Sequence, residues 1–252
     1  MKFQKHSQIV LKEEEESNSA AIGRLPNEAG QFSEEYFTRT STYARYPGTG
    51  SARTAIIRWY EGLFRYLDHR DGGQLDLPQP VLEVGCGHGA VLELLARRDF
   101  RPIGSDISGY ILGQAQEMHP DLALLASDLT HMAIRDASLG TVFALEVLEH
   151  VIDVPVALGE VRRVLRPGGR LIATTPNPAA DRLPFTNSGA DPTHVSVHPP
   201  ERWTHLLLEA GFQNVRITTV WQLPLLWRYS TLLSRTVPLP RLGPTCLIFA
   251  RL

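Results

Sequence analysis

The segment Val81-Leu-Glu-Val-Gly-Cys-Gly-His-Gly-Ala90 holds the residue types best suited to chemistry in this chain. An apolar run leads into Gly85, Gly87 and Gly89, and a helix-forming run follows at once. Glycines there let the main chain turn tightly through positive φ and let a ligand approach the backbone closely. Asp106 lies nineteen residues beyond Gly87, after the next short apolar run. That spacing sets a carboxylate beside the ribose of a nucleoside held over the turn. A further acid, Asp128, follows the third such run. Two nucleoside cofactors compete for this pattern. Gly85-x-Gly87-x-x-Ala90 satisfies the dinucleotide fingerprint, so a NAD-binding oxidoreductase is one reading. Glu83, two residues ahead of the first glycine, opposes it. A carboxylate there repels a pyrophosphate and suits a cofactor with a cationic amino group. S-adenosylmethionine, a zwitterion that also bears a sulfonium, is the better match.

The elements that must position these groups follow from hydrophobic spacing. Ser33 and the acids behind it suit a short helix, and Ile56, Tyr60, Leu63, Phe64 and Leu67 recur at helical spacing over about 54–68. From Pro80 onward short apolar runs alternate with amphipathic ones. Strands are expected at 81–84, 102–105, 122–126, 141–145, 170–175, 215–220 and 246–250, with helices at 90–98, 111–118, 154–165 and 201–210. Strands spaced by helices of this length imply βαβ crossovers and a parallel sheet covered on both faces. The division expected is a tail over 1–32, a helical cap or lid over 33–79, and a core over 80–252 with an insertion at 221–244.

VLEVGCGHG resembles the first motif of the class I S-adenosylmethionine-dependent methyltransferases. The similarity continues through GSDIS (104–108), ASDL (126–129), ALEVLEHV (144–151), LRPGG (165–169) and LIATTPN (171–177), in the family's order. EAGF (209–212) then opens the sixth strand. The nearest flavour is the group of ubiquinone-pathway O-methyltransferases and small-molecule tailoring enzymes. The resemblance implies an α/β fold, a single Rossmann-like doubly wound sheet of seven strands with the last antiparallel, behind an N-terminal helical cap. It implies that Glu83 and the backbone of Gly85, Cys86 and Gly87 hold the methionine part of the cofactor. Asp106 would take the ribose hydroxyls, Ile107 would pack on adenine, and Asp128 with Leu129 beside it would meet the adenine amino group. Glu146 would lie near the sulfonium, and S-adenosylhomocysteine would be the product.

Methyl transfer from a sulfonium is an in-line displacement, so the enzyme chiefly aligns the nucleophile. A hydroxyl acceptor also needs a base. Of nine histidines, three are placed to serve: His194 first, then His150, then His198. Glu146, Glu149 and His150 also form an ExxEH spacing that some relatives use for a divalent ion, with His194 or His198 completing the set; this metal reading is the less favoured one. Two segments are expected to shape the acceptor site. One is 32–46, with Tyr36, Phe37, Tyr43, Arg45 and Tyr46; the other is 221–240, with Trp221, Leu226, Trp227, Tyr229 and Leu232. For the second, a contact between two copies of the chain ranks next, and a membrane patch last.

Composition narrows the classes. The chain has 252 residues, 43% hydrophobic and 21% charged, with a formal net charge of −2. That balance excludes global disorder and argues against a protein that grips nucleic acid through its phosphates. Two cysteines and no long apolar run point to a cytoplasmic protein without a transmembrane segment. The expected activity is methylation of a small-molecule acceptor, most readily at oxygen, with N-methylation of an amine, a sugar or a protein acceptor as the variant on the same fold.

Overall fold

Side chains that alternate along the strands decide which face each helix covers. The strands are β1 (Val81–Val84), β2 (Pro102–Asp106), β3 (Ala123–Ala126), β4 (Leu139–Leu145), β5 (Leu165–Pro176), β6 (Gln213–Gln222), β7 (Thr236–Pro238) and β8 (Thr245–Arg251). The helices are α1 (Ser51–Arg70), α2 (Ala90–Ala96), α3 (Gly109–Met118), α4 (Val154–Val164) and α5 (Pro200–Glu209). Leu82, Val142, Ala144, Leu171, Ala173 and Ile248 meet Leu158 and Val161 of α4 and Trp203 and Leu207 of α5. Their neighbours Val81, Phe143, Leu145, Ile172 and Leu247 point the other way, onto Leu63, Phe64 and Leu67 of α1 and Val91, Leu94 and Leu95 of α2. A period of two in each strand thus builds two apolar layers, one on each face of the sheet. α1 belongs to one of these layers and closes a face of the sheet.

The computed structural model describes residues 32–40, 51–70, 72–73, 75–182, 191–222 and 236–252. The expected tail up to residue 31, the lid residues Tyr43, Arg45 and Tyr46, and Leu226, Trp227, Tyr229 and Leu232 of the insertion lie outside these residues. The strand order is β3-β2-β1-β4-β5-β8-β6-β7. β1 to β5 are mutually parallel, and β8 enters antiparallel between β5 and β6. The sheet therefore has eight strands where seven were expected. The extra one, β7, is a three-residue edge strand paired with Val220, Trp221 and Gln222 of β6. It is too short to show a period and ends on a proline, so it left no strand signal. At the LRPGG turn, Leu165 already pairs with Leu139 and the ladder resumes at Arg170 with Thr141, so the turn is a bulge inside β5. No helix among the described residues is long and apolar enough to cross a membrane.

The parallel strands all end at one edge. Beyond β1 comes the glycine turn, beyond β2 Asp106 to Ser108, beyond β3 Asp128, and beyond β4 the stretch from Glu146 to His150. In a doubly wound sheet this edge is where ligands bind.

Candidate active site

The turn after β1 is built for close approach. Gly85, Gly87 and Gly89 all have positive φ, and a Cβ on Gly85 would sit 2.4 Å from Cγ2 of Val147. Only glycine fits both demands. Asp106 closes the turn from below: its carboxylate accepts the Gly87 N–H at 3.0 Å and the Ser108 N–H at 2.9 Å. Each oxygen takes one amide, and each keeps a lone pair for a further donor. Burial raises its pKa, against the pull of those amides. Ile107 beside it is half-buried, and the Cys86 side chain packs with Leu92 and Leu112 beneath the turn.

Glu83 is buried in β1, and its Oε2 has no hydrogen-bond partner. Burial, and then the neighbouring Asp106, push this carboxyl well above its usual range. Glu146, one residue past β4, is held in the left-handed region at φ 56, with its N–H donated to the Thr174 carbonyl and hydroxyl. A non-glycine residue there costs on the order of 1–3 kcal/mol, which the surrounding bonds must sustain. Its Oε1 is also buried and unpartnered. Two acids, each with a buried and unsatisfied oxygen, suit a ligand that brings positive charge and donors. Asp128 is turned differently: its Oδ1 accepts both the N–H and the hydroxyl of Thr130, at 2.7 and 2.8 Å.

A second group of polar side chains gathers where the 191–196 segment is stitched onto the turn after β4. Val195 and Ser196 both donate their N–H to the Glu149 carbonyl, and the Ser196 hydroxyl donates to the Val151 carbonyl. This brings the His194 ring edge-on to His150, with centroids 4.8 Å apart. Glu149, His150 and His194 each place one polar atom within 4.8 Å of the others. Glu149 is fully buried with both oxygens unpartnered, and burial, then Glu146, push its carboxyl well above its usual range. His150 is pushed down to about 4, chiefly by burial and then by His194, so its imidazole is neutral near pH 7. The Phe32 ring stands edge-on to His150 at 5.7 Å, and Tyr36 and Phe37 beyond it pack with Ile111 of α3.

Residues 82–173 match the methyltransferase domain family. A probable S-adenosylmethionine-dependent methyltransferase of Mycolicibacterium smegmatis is 31% identical over 160 residues, 62% of this chain and 59% of that protein. The ubiquinone biosynthesis O-methyltransferase of Psychrobacter arcticus is 27% identical over 85% of this chain and 92% of its own length. An S-adenosylmethionine-dependent methyltransferase structure from Archaeoglobus fulgidus shares the fold, with a TM-score of 0.61 at 19% identity over 84% of this chain and all of that one. The stretch 82–173 is thus a methyltransferase domain, and the chain's likeness is to S-adenosylmethionine-dependent methyltransferases. The chain spans about half to three-fifths of the length of the curated relatives that head the comparison.

The residues singled out from the sequence fall largely into two places. Glu83 within β1, the glycine turn, Asp106 at the end of β2, Asp128 and Glu146 lie toward one edge of the sheet, while Leu129 is buried in the apolar layer under α4. His150 and His194 come together, but His198 packs on Trp203 at the start of α5, 5.2 Å between centroids. Glu146 and His198 lie outside the group of Glu149, His150 and His194, so the ExxEH spacing does not itself describe the cluster. Three donors fall one short of a closed zinc site. Sequence reasoning missed Asp191 and Thr193, which support His150 from behind. The Thr193 N–H and hydroxyl both donate to Asp191 Oδ1, at 2.9 and 2.6 Å, an Asx turn that Asp-Pro-Thr could have signalled.

Proposed function

We propose that the protein transfers the methyl group of S-adenosylmethionine to a hydroxyl of a small-molecule acceptor, acting as a cytoplasmic enzyme and leaving S-adenosylhomocysteine. The observation that carries this reading is the pair of carboxylates, Glu83 and Glu146, each with a buried, unpartnered oxygen, beside a turn that only glycine can make. A pyrophosphate would be repelled there; an ammonium group is welcomed. Glu83, Glu146 and the backbone of Gly85, Cys86 and Gly87 hold the methionine part. Asp106 accepts the ribose hydroxyls through its remaining lone pairs, Ile107 lies on adenine, and Asp128 takes the adenine amino group through Oδ2, beside Leu129.

S-adenosylmethionine supplies an activated methyl group on a sulfonium. With the acceptor oxygen aligned on that methyl group, an imidazole of the His150–His194 pair would take the hydroxyl proton as the methyl leaves sulfur. A neutral histidine is a competent acceptor for that proton near pH 7. Phe32, Tyr36 and Phe37 give the acceptor site an aromatic wall, which suits an apolar substrate. Relatives named as ubiquinone biosynthesis O-methyltransferases support oxygen as the methylated atom.

Thermal unfolding with S-adenosylhomocysteine and, separately, with NADH tests the reading. A ligand at about 100 times its dissociation constant stabilises the fold by roughly 2.7 kcal/mol, which in a domain of this size raises the midpoint by roughly 5–10 °C. S-adenosylhomocysteine should give that shift and NADH none. A shift with NADH alone would return the glycine turn to the dehydrogenases.

A further inference from the structure

The hydrogen bonds behind His150 leave only one arrangement of protons. Thr193 Oγ1 lies 2.6 Å from Asp191 Oδ1 and 2.8 Å from His150 Nδ1. An ionised carboxylate only accepts, so the single Thr193 hydroxyl proton points at Asp191. Asp191 is ionised: burial would raise its pKa, but the two bonds from Thr193 and the facing histidines outweigh it and hold it below the usual range. Its other oxygen is engaged as well, by the Tyr36 hydroxyl at 3.2 Å. With its proton spent, Thr193 Oγ1 can only accept from His150. The Thr193 carbonyl, 3.3 Å from the same nitrogen, also only accepts. Nδ1 must therefore carry a hydrogen.

We propose that Asp191 and Thr193 form a positioning relay that locks His150 in the tautomer with Nδ1 protonated and Nε2 bare, and that this bare nitrogen takes the proton of the acceptor hydroxyl. The inference rests on the methyl-transfer reading above and chooses within its histidine pair. The relay also has a use after transfer. When Nε2 gains its proton, the imidazolium hands its Nδ1–H to an oxygen that is itself tied to a carboxylate, so the new charge is met by Asp191 through one hydroxyl. The other titratable groups around the ring are His194 edge-on to it, Glu149 in the same turn, and Tyr36 across Thr193. None of them touches Nδ1 in the hydrogen bonds described. Tyr36 brings in the helical turn at 36–40, so the relay is complete only when that turn is docked.

The test reads the tautomer directly. The purified full chain, labelled with nitrogen-15 at histidine, is measured by long-range proton–nitrogen correlation near neutral pH, with the His150 signals assigned by their loss in His150→Gln. The expected pattern is that of a neutral ring protonated at Nδ1; a ring protonated at Nε2 would overturn the relay. Thr193→Val, which keeps the branched shape, should give a mixture of tautomers. With the acceptor returned by a labelled-methyl screen, it should lower kcat by about tenfold or more at nearly constant KM, since a positioned base contributes roughly 10²–10⁴-fold. An unchanged tautomer with unchanged kcat would remove Thr193 and Asp191 from the mechanism. Asp191→Asn is the second variant, with the same expectation. S-adenosylhomocysteine should stabilise all these variants as it does the parent. If it fails to stabilise the parent itself, the methyl-transfer reading falls, whatever the imidazole shows.

Discussion

Glu83→Gln separates cofactor recognition from fold stability, because the two should move in opposite directions. Glu83 is buried with Oε2 unpartnered, and burial and Asp106 push its carboxyl well above the usual range. An acid whose folded pKa is raised binds more protons folded than unfolded, so it destabilises the fold increasingly as pH rises through the unfolded value. Glutamine, of nearly the same shape, removes that burden and relieves Asp106. The ligand-free variant should therefore melt no lower than the parent at about pH 8, and above it if the buried charge dominates. Binding should go the other way. A hydrogen bond to a charged group is worth about 1.5–3 kcal/mol, so losing the carboxylate beneath the cofactor's ammonium should weaken S-adenosylhomocysteine roughly 10- to 150-fold. Isothermal titration with S-adenosylhomocysteine and with methylthioadenosine, which lacks the amino-acid part, gives the control. Methylthioadenosine should bind both proteins alike. Equal affinity of the two proteins for S-adenosylhomocysteine, or an equal loss for both ligands, would refute the placement of the methionine group over Glu83.

Three further predictions follow from single contacts. Asp106→Ala strips the acceptor from the Gly87 and Ser108 amides, so it should weaken S-adenosylhomocysteine and methylthioadenosine together by at least about tenfold and cost about 1–3 kcal/mol of stability by denaturant titration. Gly85→Ala adds a Cβ at φ +65 against Val147, and strain plus overpacking should cost roughly 2–5 kcal/mol; Val147→Ala in the same chain should return part of it. His150 is neutral in the fold with a pKa of about 4 against 6.5 for the free side chain. The unfolded chain thus binds more protons between those values, and stability should fall as pH drops from 6.5 toward 4, by at most about 3 kcal/mol from this group. His150→Gln should flatten that limb of a melting-temperature profile.

What the sequence made legible was whatever a local rule controls. β1, the glycine turn and Asp106 could be read because alternation, left-handed backbone and a fixed strand-to-strand distance all act over about twenty residues. β4 and α4 were readable for the same reason. The relay was not, because His150 meets Thr193 across 43 positions and Asp191 meets Tyr36 across 155. No periodicity carries that information; it exists only once the 191–196 backbone is bonded to the Glu149 and Val151 carbonyls. The ordering of His194 ahead of His150 came from position along the chain, whereas the proton arrangement depends on which ring nitrogen faces an obligate acceptor. The ExxEH spacing was legible only in part, since Glu149 and His150 come together with His194 but Glu146 does not join them. That spacing assumes one helical turn from Glu146 to His150, but Glu146 sits in the left-handed region and a 3-10 turn begins only at Leu148.

The placement of β8 has a consequence for how the chain comes together during synthesis. β1 to β5 emerge in an order that lets each find a neighbour already made or soon to follow. β6 and β7 can pair with each other, but among the described residues β6 reaches the rest of the sheet only through β8. The strand that bridges them is the last of the eight to leave the ribosome. Until then β5 and β6 expose bare edges, and the apolar residues that end up under α5 wait without their final partner. The half of the sheet that carries the glycine turn can thus be organised while the other half is still incomplete, and a pause late in translation would prolong the aggregation-prone interval.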